Sequence, residues 1–437
     1  MSYHSADVME VLAWGRRVGA VALDPGTGWY SFAYAPEWVR SGIELAPLHM
    51  ALRDGPYEFP QLRTETFYGL PALLADSLPD RFGNALVDAW MSEQGVIAQD
   101  ITPLDRLAYA ADRAMGALEF RPPARSTVAD PPTAVLLADL VLAARGAVRG
   151  EFATDETTHA ALQQLIQVGS SAGGARAKAV VAFNPTTFQV HSAYAEPSEG
   201  FEQWLIKLDG VSGSGMDGHG SSLGETTAYG RVEFAYSLMA GAAGIEMMPC
   251  QLLAEGPRRH FMTKRFDRGP AGERFHVISL CALAHLDYNL PGTHSYDQYL
   301  QTVKALGLSN NELTEAYRRT VFNVMAANND DHAKNFAFLR SADSDWRISP
   351  AYDVMYAYNP TNEWISRHLM SVDGKFEGIE LEDIYTVGER NNVPGYRRVV
   401  REVRAGVAGW AEFAEEAEVP GEDIQRIAAA HDRFAPH

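Results

Sequence analysis

Asn328-Asn329-Asp330-Asp331-His332-Ala333-Lys334-Asn335 is the densest polar cluster in the chain. It sits between two apolar patterns. Upstream, residues 310–327 place apolar side chains at 313, 317, 321, 324 and 325, one face of a helix. Downstream, Phe336-Ala337-Phe338-Leu339 reads as a strand. A loop pinned between helix and strand is a rigid turn. This one carries a carboxylate, Asp330, and an amide, Asn335, five positions later. A carboxylate accepts a proton, and an amide oxygen ligates a hard cation. A polar capping loop is the plainer reading of the same residues.

The surroundings favour chemistry. Asp and Asn at this spacing match the catalytic loop of protein kinases, D-x-x-x-x-N. Phosphoryl transfer needs a carboxylate to deprotonate an acceptor hydroxyl and an oxygen ligand to hold Mg²⁺ against phosphates. Asp353, in Ile348-Ser349-Pro350-Ala351-Tyr352-Asp353, stands where a second metal-binding carboxylate belongs. Trp204-Leu205-Ile206-Lys207 ends an apolar strand on a lysine, a costly placement unless the cation is paired or liganded. Glu233, on the following helix pattern, is the candidate partner. Gly169-Ser170-Ser171-Ala172-Gly173-Gly174-Ala175 precedes a strand, and its small residues let backbone N–H groups approach phosphate oxygens. A strand lysine, a helix glutamate and a later Asp…Asn…Asp set occur here in kinase order.

These strings resemble the HipA family, the serine/threonine-kinase toxins of bacterial toxin–antitoxin systems. The matching strings run from Gly69-Leu70-Pro71 through Ser77-Leu78-Pro79-Asp80-Arg81, Ser171 to Lys178, Lys264-Arg265-Phe266-Asp267-Arg268, Asn328 to Asn335, and Ser349 to Asp353, in order over nearly the whole chain. The resemblance implies Asp330 as catalytic base, with Asn335 and Asp353 as ligands of Mg²⁺. It implies Lys207 on the phosphates of ATP, with Glu233 as the helix glutamate and Lys178 as a phosphate-loop lysine. Lys264-Arg265-Phe266 would be the hinge whose backbone reads adenine. Ser171, with Ser170 beside it, would be the serine whose autophosphorylation inactivates the kinase. A phosphate there adds nearly two negative charges where ATP phosphates belong. A HipB-like DNA-binding antitoxin is the implied partner. Operator DNA would be reached mainly through it, and the substrate would be a cellular protein, with aminoacyl-tRNA synthetases the family theme.

The implied fold is α+β and protein-kinase-like, with two lobes. A β-rich N-terminal lobe carries an extra N-terminal subdomain, and the C-terminal lobe is mainly α-helical. Residues 1–125 are expected to form the subdomain: a meander over Val8–Tyr34 turning at Asp24-Pro25-Gly26-Thr27-Gly28, a helix interrupted at Pro79, and a helix from Thr102-Pro103 through Met115. Pro122, Pro123, Pro131 and Pro132 mark a boundary. Residues 126–270 form the nucleotide-binding part, with helices near 133–144 and 155–167 and strands at 178–183, 188–194, 203–208, 251–254 and 261–266. Residues 271–437 form the helical lobe, ending in helices over 396–417 and 422–434. The glycine- and serine-rich stretch 210–224 has no assigned role.

Composition bounds the rest. The 437 residues carry 37 Lys+Arg against 56 Asp+Glu, a formal charge of −19. That argues against this chain as the main reader of DNA or RNA, which requires phosphate-neutralising cations. A hydrophobic content of 46% supplies a large core. Two cysteines, Cys250 and Cys281, make no disulfide framework and no cysteine-based zinc site, and both are expected to be buried. No apolar run is long enough to span a membrane, and Met1–Glu10 lacks a basic leader. The expectation is a reduced, cytoplasmic protein.

Three rivals stand beside the toxin kinase: a kinase-fold enzyme with a small-molecule acceptor, a catalytically silent partner of a DNA-binding antitoxin, and a metal hydrolase built on Asp330, Asp331 and His332. The last lacks a second ligand cluster at metal spacing. His332 is expected to brace the loop, and Lys334 is a candidate for γ-phosphate charge. Arg397, Arg398, Arg401 and Arg404 read as a solvated helix face, with nucleic-acid contact the sharper alternative.

Overall fold

The structure is a computed structural model that describes residues 5–122, 141, 144, 177–193, 199–209, 211, 228–270 and 272–434. Ser170, Ser171, Gly173 and Gly174 lie outside the described residues, as do the helices expected near 133–144 and 155–167, apart from residues 141 and 144. The chain sorts into two compact units. The first gathers Met1–Met216, Lys264–Ile278 and Leu339–Asp345; the second gathers Asp217–Thr263, Ser279–Phe338 and Trp346–His437.

The first unit opens on an antiparallel sheet of β1 (Val8–Ala13), β2 (Arg16–Leu23), β3 (Tyr30–Tyr34), β4 (Pro56–Tyr57) and β5 (Leu118–Arg121), in the order β4-β3-β2-β1-β5. The expected turn joins β2 to β3: Asp24 Oδ1 accepts from the Gly26 N–H at 2.7 Å, and Gly28 takes φ +75°. Tyr30, Phe32 and Tyr34 alternate into the core. Two helices follow. Asp80 caps α1 (Arg81–Glu93) by accepting from the Gly83 N–H. Thr102 and Asp105 form a capping box at the head of α2 (Pro103–Ala110). The pattern predicts α2 through Met115, but it stops at Ala110. Ala111 takes φ +47°, and its carbonyl is claimed by Phe120 N–H at the head of β5.

A second antiparallel group has β6 (Lys178–Phe183) paired with both β7 (Val190–Ser192) and β8 (Glu202–Lys207). Ala179, Val180, Val181 and Phe183 are fully buried, as befits an inner strand. The segment 264–278 joins this unit through a buried ion cluster. Asp267 accepts from both arms of Arg265 (2.8 and 2.6 Å), from Arg268 (2.7 Å) and from Gly116 N–H (2.7 Å). Burial pushes the Asp267 carboxyl upward, but the two guanidiniums outweigh it and hold the group below the usual carboxylate range.

His276 is also fully buried, its Nε2 bonded to the Leu45 carbonyl at 2.9 Å. Burial lowers its pKa from 6.5 to about 4. The unfolded chain therefore binds this proton between pH 6.5 and 4, and the folded chain does not. Stability falls as pH drops through that window, by roughly 3 kcal/mol for this group. His276→Gln is expected to remove that share of the slope, read by urea unfolding at pH 7, 5.5 and 4. An unchanged slope sinks the assignment.

The second unit starts from α3 (Tyr229–Ala242) and the hairpin β9 (Cys250–Glu255) to β10 (Arg258–Lys264). Its longer helices, among the described residues, are α4 (Tyr296–Ala305), α5 (Asn310–Met325), α6 (Leu381–Arg390), α7 (Tyr396–Ala408), α8 (Trp410–Glu416) and α9 (Gly421–His431). α5 buries Leu313, Tyr317, Val321, Val324 and Met325, the predicted face. It packs on α4 and α7, while α3 packs on α7 and α8. Gly406 permits the close crossing of α7 over the end of α3, where a Cβ would lie 2.7 Å from Ala243 backbone.

Three expectations need correction here. The helix read over 396–417 is two, broken at Gly409, whose N–H turns back to the Gly406 carbonyl. α6 was not anticipated, although Glu380 and Asp383 form its capping box. Cys281 is buried but Cys250 is only half-buried. The arginines of α7 form the expected solvated face at Arg397, Arg398 and Arg401, which are exposed, while Arg404 is half-buried and its Nε donates to the Phe434 carbonyl. Among the described residues, no helix is long and apolar enough to cross a membrane.

Candidate functional site

The site in the second unit grows from the end of α5. The helix closes at Ala326, and Ala327 takes φ +50°, which turns the chain out of the helical path. Asn328 N–H returns to the Asn323 carbonyl, and Asn329 N–H donates to the Ala357 carbonyl. Ala333–Asn335 then forms one 3₁₀ turn, so Asp330 and Asn335 are held by a short, closed loop. Asn335 Nδ2 donates to the Asp330 carbonyl at 2.7 Å, which braces the loop across its own five-residue span.

The two adjacent acids have different fates. Asp331 is 1% exposed. One oxygen accepts from Tyr296 hydroxyl (2.7 Å) and contacts His368 Nδ1 (2.7 Å); the other accepts from Leu369 N–H (2.7 Å). Tyr296 in turn accepts from Asn323 Nδ2, and Asn323 Oδ1 accepts from Asn328 Nδ2. Burial, and then the Asp331 carboxylate, push the Tyr296 phenol well above its ordinary range, so it stays a proton donor. Asp331 is thus saturated by the loop's own support. Asp330 keeps a side chain 34% exposed. Trp364 Nε1 donates to its Oδ1 at 2.8 Å, and His332 Nε2 stands 3.7 Å from the same oxygen. His332 packs between the Tyr288 and Trp364 rings, a bracing position.

Asp353 takes φ +52°, a left-handed conformation that costs a non-glycine residue and gathers at functional sites. Asp353 and Asn335 line the same small cavity, about 20 Å³, together with Asp331, Asn328 and Arg319. That is room for one water-sized or ion-sized occupant. With Asn335 Nδ2 engaged, its Oδ1 is the end available to a cation. One carboxylate and one amide oxygen suit Mg²⁺, which keeps several waters and takes few protein ligands. The donor set therefore fits Mg²⁺ at Asn335 and Asp353. Among the described residues there is no group of three or more His, Cys, Asp or Glu able to hold a metal. Lys334 Nζ lies over the Tyr288 ring, 5.3 Å from its centre, and its carbonyl accepts from Tyr352 hydroxyl. Glu233 is buried on α3.

The remaining predicted residues lie in the first unit. Lys178 and Lys207 are directly opposed across the β6–β8 ladder. Lys178 is 2% exposed and pairs with Asp80 at 2.9 Å, so its ammonium is neutralised by the cap of α1; Lys207 is half-buried. Lys264 Nζ pairs with Glu202 at 2.7 Å. Arg265 spends its guanidinium on Asp267 and its N–H on the Gln203 carbonyl, so that N–H is not the one that would meet adenine. Sequence reading missed Trp364, Tyr296 and His368. They lie 27–37 residues from the positions they touch, and no local pattern marks them.

Residues 9–121 match the HipA N-terminal domain, and residues 170–432 match the HipA-like C-terminal domain. Y4dM of Sinorhizobium fredii, named as a candidate kinase, is 26% identical over 176 residues, 36% of this chain. The match spans 39% of that relative's own length. HipA of Shewanella oneidensis MR-1, solved with HipB and its operator DNA, superimposes with a TM-score of 0.64 at 14% identity, covering 98% of this chain and 95% of that one. The α+β fold is the one that HipA adopts. With two family domains matched in order, the second over more than half of its length, the chain belongs to the HipA family.

Proposed function

We propose that this chain is an ATP- and Mg²⁺-dependent serine/threonine protein kinase, the toxin of a HipA/HipB-like module. The observation that carries it is the division of labour in the loop: Asp331 is consumed by structure, while Asp330 stays partly exposed, five residues before an Asn335 that shares a cavity with Asp353. Asp330 takes the proton of an acceptor hydroxyl as that oxygen bonds the γ-phosphorus of ATP and ADP departs. Asn335 and Asp353 hold Mg²⁺, which neutralises phosphate charge when bound. Lys207 is the lysine for the phosphates of ATP, and Glu233 is the helix glutamate. Lys178 is the phosphate-loop lysine, its ammonium paired with Asp80. Residues 264–266 form the hinge, and Lys334 steadies γ-phosphate charge. The division 1–125, 126–270 and 271–437 describes subdomain, nucleotide-binding part and catalytic lobe.

The protein substrate arrests growth when phosphorylated. Ser171 is the self-inactivating site, with Ser170 its neighbour in the sequence Gly169-Ser170-Ser171-Ala172-Gly173-Gly174. A basic antitoxin complements the formal charge of −19 and carries the complex onto its operator. The test is intact mass after incubation with ATP and Mg²⁺. A gain of one phosphate, absent in Ser171→Ala and absent with EDTA, is expected. No gain in the wild-type chain, on itself or on lysate proteins, sinks the reading.

A further inference from the structure

Three consecutive residues of the catalytic loop grip one later segment, 357–369. Asn329 N–H bonds the Ala357 carbonyl and Asn329 Nδ2 the Ile365 carbonyl, each at 3.1 Å. Trp364 Nε1 bonds Asp330 Oδ1. His368 Nδ1 and Leu369 N–H bond Asp331. The outer bonds are ordinary scaffolding, because they end on backbone or on the buried acid. The middle one ends on the reactive carboxylate. Trp364 is half-buried, held by Asn362 Oδ1 on its own N–H at 2.8 Å, so its indole is presented from a braced turn.

Geometry then divides the two oxygens of Asp330. Both ring nitrogens in reach, Trp364 Nε1 at 2.8 Å and His332 Nε2 at 3.7 Å, face Oδ1. Oδ2 receives no protein donor among the described residues. An acceptor hydroxyl needs a carboxylate oxygen with its lone pairs available, held in one orientation. A carboxylate tied at one oxygen cannot spin about its terminal torsion, a rotation that is otherwise broad. A charged acceptor also makes this one of the stronger kinds of hydrogen bond.

We infer that Trp364 is the positioning residue of the base: its indole N–H fixes Asp330 through Oδ1 and reserves Oδ2 for the acceptor hydroxyl. The inference rests on the kinase reading above, and its test separates the two. In ¹⁵N-tryptophan-labelled full-length protein, the Trp364 indole resonance is identified by its loss in Trp364→Phe. It is expected to move when the carboxylate is removed in Asp330→Asn; a resonance that stays put overturns the inference. Trp364→Phe is also expected to lower kcat by about 10- to 100-fold, the worth of one hydrogen bond to a charged group. KM for ATP and the melting midpoint are expected to stay at wild-type values, which a merely structural role would not allow. An unchanged kcat overturns the inference, and so does a rise in KM with kcat intact. Absence of phosphate transfer by the wild-type chain overturns the kinase reading, and this role with it, even where the indole resonance moves.

Discussion

Asp330→Ala is expected to reduce phosphate transfer by about 10²- to 10⁴-fold, the usual worth of a general base. The folded state is expected to survive it. The side chain is partly exposed, and its removal strands only the indole N–H of Trp364, at a rim that water reaches. The loop keeps its form because the Asn335 brace ends on the Asp330 backbone carbonyl, which alanine retains. The decisive measurement pairs transfer of labelled phosphate with a urea unfolding curve on the same preparation. Wild-type transfer in this variant removes Asp330 from the mechanism. A large loss of stability removes the argument that the two acids differ in role.

Asp331→Ala is expected to do the reverse, destabilising the protein by about 3–5 kcal/mol, as removal of one member of a buried charged network does. Tyr296 hydroxyl, His368 Nδ1 and Leu369 N–H all lose their acceptor at once. Tyr296 is fully buried on α4, and Asn323, which donates to it, lies on α5, so the damage spreads into the helical core. Unfolding in urea at pH 7 should show the midpoint falling, with nucleotide binding lost only as the protein unfolds. A stable Asp331→Ala protein without phosphate transfer would mean that Asp331, not Asp330, meets the acceptor, and the five-residue spacing to Asn335 would lose its meaning.

Much of the fold was legible. Alternating aromatics at Tyr30, Phe32 and Tyr34 place themselves in a sheet because successive strand residues face opposite sides. Asp24-Pro25-Gly26 can hardly be anything but a turn, and Thr102-Pro103 with Asp105 is a helix start written in side-chain acceptors. Helix ends were less legible. α2 stops at Ala110 because Ala111 adopts a positive φ demanded by the entry to β5, and alanine carries no mark of that demand. The break at Gly409 and the start of α6 rest on local bonds, Gly409 N–H to the Gly406 carbonyl and the capping box of Glu380 and Asp383, that the apolar periodicity does not mark.

The candidate site divides in the same way. The spacing of Asp330 and Asn335, and the later Asp353, are properties of the chain order. They survive in the folded structure because a short loop keeps near neighbours near. The choice between Asp330 and Asp331 is different in kind. Nothing in two adjacent identical carboxylates tells them apart. Burial tells them apart, through Tyr296 from α4 and His368 and Leu369 from the segment after Asp353. Lys178 shows the same limit. It reads as a phosphate-loop lysine, yet its ammonium meets Asp80, 98 residues earlier, because an unpaired cation at 2% exposure would be too costly to bury.

The sequence by itself determined the family, the order of the chemical groups and the turn that carries them, since those depend on identity and spacing along one chain. Only the tertiary structure decided which acid is buried, which lysine is already paired, and which carboxylate an indole meets. Those outcomes depend on which polar groups lose water, and that is settled by residues far apart in sequence and close in space.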